Sequence, residues 1–93
     1  MAGHSDDWVL TSMHYVYILQ SLTTGRYYVG SAKCVEERLA QHNGNKVRST
    51  KNRGPYKVVR VEQYESKSAA LQREKQIKKY KSREKLDKLI ASK

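Results

Sequence analysis

The chain has no phenylalanine, one cysteine, one proline and one tryptophan, and only 9 acidic residues against 19 Lys and Arg. Each shortage excludes something. A lone Cys34 cannot close an internal disulfide, so a stapled secreted mini-protein is ruled out and a reducing cytosol is the expected compartment, which makes the chain cytoplasmic. One cysteine and three scattered histidines, His4, His14 and His42, do not make a zinc finger. The apolar runs are only a few residues long, far short of the roughly 20 that span a bilayer, and no membrane partner is expected. Residues 1–12, MAGHSDDWVLTS, hold two acids and no Lys or Arg, the wrong charge for a signal peptide. They have no hydrophobic period. We read them as a flexible leader, with Met13 able to serve as a start, ahead of a single domain over residues 13–93.

What is present is positive charge, a formal net +10 on 93 residues. At this length about 60 to 70% of the unfolded surface can be buried, so the fold must be economical. Nucleic acid is the commonest partner of such a chain, although an acidic membrane surface, ribosomal packing or solubility would give a similar total. Placement narrows this. Residues 46–60 carry six bases and no acid, among them Lys46, Arg48, Lys51 and Arg53. Residues 67–93 carry ten bases and three acids, with Lys75, Lys78 and Lys79 in one run. The excess therefore sits in one loop-and-strand region and in the tail.

The segment HYVYILQ (residues 14–20) is rich in aromatic and β-branched residues and reads as a strand. TTGR is a turn, and YYVGS (27–31) is the second arm of a hairpin. Residues 34–43 switch to helical spacing, with Gly44 where a helix stop belongs. The polar, basic stretch 44–55 is a loop. KVVRVEQYE (57–65) alternates imperfectly but is β-branched enough for a third strand. Ser66 is placed to cap a helix running to about Tyr80, and Ser82 a last one through Leu86, Leu89 and Ile90. The order is ββαβαα, an α+β chain with three strands flanked by helices.

Polar residues interrupt the inward faces. At about 100° per residue, setting Val35 at zero puts Leu39 near +40°, His42 near −20° and Arg38 near −60°. On the next helix, with Ala70 at zero, Ile77 lies near −20° and Glu74 near +40°. A carboxylate facing a core must be paired, hydrogen-bonded or bound to a metal. Pairing of Glu74 with Arg38 or a nearby Lys is one reading. On the hairpin, Tyr15, Tyr17 and Leu19 share one face. Gly30 follows Tyr28 by two on its own face and is expected to leave open space beside it. Seven tyrosines and no phenylalanine suggest that hydroxyls are wanted.

Tyr15-Val16-Tyr17, then Tyr28-Val29-Gly30, then Arg38 and His42 on one helix and Glu74 on the next, form an ordered set that resembles the GIY-YIG endonuclease domain. It is most similar to small stand-alone members related to the nuclease domain of bacterial excision repair. The resemblance covers residues 14 to about 90, and YYVGSAKCVEERLAQHN is its most specific stretch. Tyr15 stands where the family has glycine, and Val16 and Val29 where it has isoleucine. The resemblance implies a small three-stranded antiparallel sheet flanked by helices, and metal-dependent hydrolysis of phosphodiesters in DNA.

It further implies that Tyr17 is a general base or water-positioning group, that Tyr28, Arg38 and His42 are catalytic, and that Glu74 holds Mg2+ or Mn2+. Arginine offers phosphate a planar fork, and hard cations favour carboxylate oxygen. Either Tyr17 or His42 takes the proton. Lys46, Arg48, Lys51, Arg53, Lys75, Lys78 and Lys79 are expected to bind the DNA backbone with low sequence specificity, choosing targets by DNA structure or through a partner protein, in repair or processing. The alternatives are an inactive nucleic-acid-binding module on the same fold, or an RNA- or ribosome-associated basic protein.

Overall fold

The computed structural model describes residues 13–80 and 82–92; the leader assigned to residues 1–12 lies outside them. Strand β1 (His14–Ser21) is central, flanked by β2 (Tyr27–Ala32) and β3 (Tyr56–Tyr64), and both pairings are antiparallel. Helix α1 (Val35–Asn43) follows the hairpin, and α2 (Lys67–Lys78) and α3 (Arg83–Ala91) follow β3. The expected α+β order ββαβαα is the order found. A single 3-10 turn, Arg48–Thr50, interrupts the region read as a plain loop.

Side chains alternate across a strand, and β1 is buried on both faces. Val16 and Ile18 point one way and pack with Val29, Ala70 and Ile77, under α2 and α3. Tyr17 and Leu19 point the other way and pack with Tyr56, Val35 and Leu39, under α1. All four β1 side chains are at most 1% exposed. Burying each is worth roughly 1.5 to 3 kcal/mol, so this one strand organises both halves of the core.

Local signals account for the element ends. The turn after β1 uses Gly25 at φ +76°, a conformation glycine adopts without steric cost. The Ser66 hydroxyl accepts the Ala69 N–H at 3.1 Å and the Ser82 hydroxyl the Glu84 N–H at 3.2 Å, so both serines cap their helices as read. Helix α1 begins at Val35, with Cys34 as a cap that makes no side-chain bond, and α2 stops at Lys78, short of Tyr80. The imperfect alternation in β3 has a cause. The pairing with β1 jumps from Ile18↔Arg60 to Leu19↔Val58, so Val59 is an extra residue at a bulge.

An ionic network fastens the outer helices to the sheet. Glu62 on β3 receives Arg60 Nε and Arg73 Nε, each at 2.8 Å, and the Tyr64 hydroxyl at 2.7 Å. Arg60 also donates to the Leu89 and Ser92 carbonyls, at 2.9 and 3.0 Å, at the end of α3. Burial alone would raise the Glu62 carboxyl, but the hydrogen bonds from Arg73, Tyr64 and Arg60 and the Arg73 charge hold it at about 2, from an ordinary 4.5. A depressed carboxyl stabilises the fold above its free pKa and ceases to do so as pH falls through its folded one. Stability to denaturant should therefore decline from about pH 5 towards pH 2. In Glu62→Gln that decline should be smaller, with a loss of about 2 kcal/mol at neutral pH. Equal pH slopes in the two proteins would show that the network contributes nothing.

Candidate active site

The site begins with a cross-strand pair. Tyr17 lies directly opposite Gly30 in the β1–β2 ladder. A Cβ placed on Gly30 would come within 2.5 Å of the Tyr17 hydroxyl oxygen and 2.7 Å of Cζ. The space expected beside Gly30 is therefore not open. The Tyr17 ring fills it, leaning over the edge strand, and only a missing side chain permits that approach.

From there the Tyr17 hydroxyl meets Nε2 of His42 at 3.1 Å, and His42 Nδ1 meets Thr50 Oγ1 at 2.7 Å. His42 is 0% exposed and Thr50 1%. The Thr50 hydroxyl itself donates to the Val47 carbonyl, at 3.4 Å, and so can only accept from the histidine. That order puts the ring proton on Nδ1 and leaves Nε2 bare, with Tyr17 donating to it. Burial, and the Arg38 charge next, lower the His42 pKa from its ordinary 6.5, so the ring is neutral at pH 7. Tyr28 and Tyr56 enclose it, with ring centroids at 4.9 and 6.1 Å.

Burial raises the Tyr17 hydroxyl above its ordinary 10; Arg38 pulls it down, while Tyr28 and Glu74 push it up. The rise wins, so Tyr17 is a neutral phenol at physiological pH. Its only proton is committed to His42; Arg38 faces the same oxygen, and the remaining lone pair is left for whatever enters the site. Arg38 is half-buried and held by Gln41 Oε1 at 2.7 Å.

Glu74 comes from the other side of the sheet. Helix α2 packs on the Val16 face, and Ser31, next to Gly30 but pointing oppositely, donates to Glu74 Oε1 at 2.8 Å. Lys78, one helical turn on, sits 2.6 Å from Oε2. Of the two pairings open to Glu74 from sequence, a nearby lysine is the one present. Tyr17, Tyr28, Arg38, His42 and Glu74 are thus gathered around β2, with the Glu74 charge near enough to push the Tyr17 hydroxyl up. Among the described residues no group of three or more His, Cys, Asp or Glu could enclose a metal. Glu74 is instead a lone, largely buried carboxylate that already draws a cation, the Lys78 ammonium, which is half exposed and can swing away. One carboxylate, with water and phosphate completing the shell, suits a Mg2+-type ion.

The expected DNA-binding residues separate by position. Lys46, Arg48, Lys51, Arg53, Lys75 and Lys79 are exposed, whereas Lys78 is engaged with Glu74. Thr50 and Ser31 were missed. Thr50 lies in a loop with no period, and Ser31 lies within the second hairpin strand without being singled out there; only the fold brings them to His42 and Glu74. The loop carrying Thr50 is itself braced: Asn43 Oδ1 accepts the Tyr56 N–H at 2.7 Å, and Asn45 Oδ1 the Asn52 N–H at 2.9 Å.

Comparison with known proteins agrees with the fold. Residues 13–87 match the family described as the GIY-YIG catalytic domain. The chain is 43% identical over 79 residues to a UPF0213 protein of Natronomonas pharaonis, covering 84% of this chain and 91% of that one. It is also 43% identical over 79 residues to a UPF0213 protein of Staphylococcus saprophyticus, covering 84% and 94%. The solution NMR structure of a UPF0213 protein from Bacillus halodurans superposes with a TM-score of 0.54 at 34% identity, over 85% of this chain and 83% of that one.

Two measurements probe the site directly. In 15N NMR spectra the His42 ring should be neutral at pH 7 with the proton on Nδ1, and Thr50→Val should disturb that tautomer; an Nε2–H in the unmodified protein would refute the hydrogen-bond order. Gly30→Ala should cost about 1 to 3 kcal/mol through overpacking. It should also break the Tyr17–His42 bond, seen as a shift of the His42 Nε2 resonance.

Proposed function

The chain belongs to the GIY-YIG family, whose fold is that of a nuclease acting on nucleic acid, and on this premise we propose that it is a divalent-metal-dependent DNA endonuclease of low sequence specificity, serving in DNA repair or processing. The observation that carries the reading is the buried Tyr17–His42–Thr50 chain beside Arg38 and Glu74. A structural tyrosine–histidine pair has no need of an arginine and a carboxylate around it.

In this reading Arg38 exchanges its bond to Gln41 for a non-bridging oxygen of the scissile phosphate, where its fork is worth most in a partly dry site. The attacking water donates a hydrogen bond to the free lone pair of Tyr17. As its oxygen bonds to phosphorus, the water proton passes to Tyr17 and the Tyr17 proton to His42 Nε2, while the opposite P–O bond breaks and the leaving oxygen is protonated from solvent. Tyr17 therefore never has to exist as a free phenolate. His42 ends charged, a state it can hold only until the proton is lost. Glu74, freed from Lys78 and oriented by Ser31, would hold a divalent ion that supplies charge at the phosphate and leaving oxygens. The exposed bases of residues 46–60, with Lys75 and Lys79, give salt-sensitive grip on the backbone without reading bases.

The test is cleavage of single-stranded, double-stranded and branched DNA with Mg2+ or Mn2+. Tyr17→Phe should lose about a hundredfold or more in rate, Arg38→Ala about as much, and Glu74→Ala all measurable cutting. The rate should fall as pH drops below the depressed His42 pKa, because only neutral His42 accepts the proton, and should level off at higher pH. Binding without cuts in wild type and all three variants would overturn the nuclease reading; RNA binding alone would favour a packing role. A rate that keeps climbing towards pH 10 would instead indicate a Tyr17 phenolate.

A further inference from the structure

We infer that the cavity between the β1–β2 turn and residues 51–56 is a second phosphate site, which takes the phosphodiester next to the scissile one along the same strand. The inference rests on the nuclease reading only for the word scissile. The cavity has a volume of about 120 Å3 and is bounded by Thr24, Arg26, Tyr28, Thr50, Arg53 and Tyr56 among others. It admits a tetrahedral oxyanion and is too small for a nucleoside. Two arginines face it, and among the described residues no carboxylate lines it.

Surface arginines are often merely solvated, but three features distinguish these two. First, Arg38, Arg60, Arg73 and Arg83 are each held by a carboxylate, carbonyl or amide of this chain, whereas Arg26 and Arg53 have no such contact among the described residues; Arg48 also has none there, but it does not line this cavity. Two cations that share a small cavity without an acid repel, and an anion between them removes that cost. Second, their backbones are locked together. Ser21 Oγ donates to the Arg53 carbonyl at 2.6 Å, the Thr23 hydroxyl reaches the Arg53 and Gly54 carbonyls at 3.3 Å, and the Leu22 N–H donates to the Pro55 carbonyl at 2.8 Å. Ser21 is 2% exposed, so this clamp is part of the core, and ordering the arginines for a ligand costs side-chain entropy only.

Third, the cavity shares walls with the proton chain. Tyr28 lines it and packs edge-on against His42, and Thr50 lines it and accepts the hydrogen bond from His42 Nδ1–H. A strand whose scissile phosphate lies at Tyr17 and Arg38 therefore passes Tyr28 directly into this space. A phosphate held there fixes the strand's direction across the site, and its arginine forks give affinity without reading sequence. Arg26, which lies outside both basic segments of the sequence, becomes a strand-positioning residue.

The test measures binding, by fluorescence anisotropy in EDTA, so that cleavage plays no part. Arg26→Ala/Arg53→Ala should weaken binding of a short DNA oligonucleotide about tenfold and lower the log–log salt slope by about 1. A set of oligonucleotides, each with one phosphate replaced by a neutral methylphosphonate, then locates the contact. One position should weaken wild-type binding and leave binding by the double variant unchanged, and in metal it should lie next to the cut. If every substitution affects the two proteins equally, or the double variant binds like wild type, the phosphate site is wrong even where the protein cleaves. If the coupled position is found but no DNA is ever cut, the phosphate site stands and the nuclease reading falls.

Discussion

The buried hydrogen bond from Tyr17 to His42 is the constraint around which the rest of the molecule is arranged. It requires that a tyrosine on the central strand reach across its neighbour, which only Gly30 permits. It requires a histidine on the inner face of α1, and a second acceptor for that histidine's other nitrogen, because a buried N–H without a partner is costly. Thr50 supplies the acceptor, and so a basic loop that could have been featureless contains a 3-10 turn pinned at its end. Asn43 and Asn45 then brace the loop to β3 and to itself.

The two faces of the sheet divide the work. The Val16 face is an aliphatic core, closed at its rim by Glu62 with Arg60, Arg73 and Tyr64, a set whose charges are mutually satisfied. The Tyr17 face is polar at its centre, with Arg38 held by a glutamine, and Glu74, reaching β2 from the Val16 face, is held by a half-exposed lysine; both partners are exchangeable. Closed networks stabilise, and groups with replaceable partners are available for a ligand. The contrast explains why two half-buried glutamates, Glu62 and Glu74, have different parts although sequence singled out only one of them.

Much of this was legible beforehand. The order of elements along the chain, both serine caps and the inward placement of Arg38, His42 and Glu74 followed from period and local chemistry, because those signals act over one or two turns. The family resemblance added the grouping of the hairpin tyrosines with the helices, and the match over residues 13–87 shows the family itself. Contacts between unrelated segments were not legible. Ser31 to Glu74 spans 43 residues and Arg60 to Ser92 spans 32. Periodicity can mark one end of such a pair, as it does Glu74, but never which distant residue completes it.

By itself the sequence determined which elements form, which face of each turns inward and that a carboxylate, an arginine and a histidine break those faces. These are consequences of backbone geometry and burial, and both act locally. The tertiary structure decided the protonation pattern: a neutral His42 with a bare Nε2, a Tyr17 whose pKa rises although Arg38 is beside it, and a Glu74 matched with Lys78. It also brought Arg26 and Arg53 to one cavity from opposite sides of β1. Hydrogen-bond direction and desolvation depend on what stands a few ångströms away in space, and for this chain those neighbours come from distant parts of the sequence.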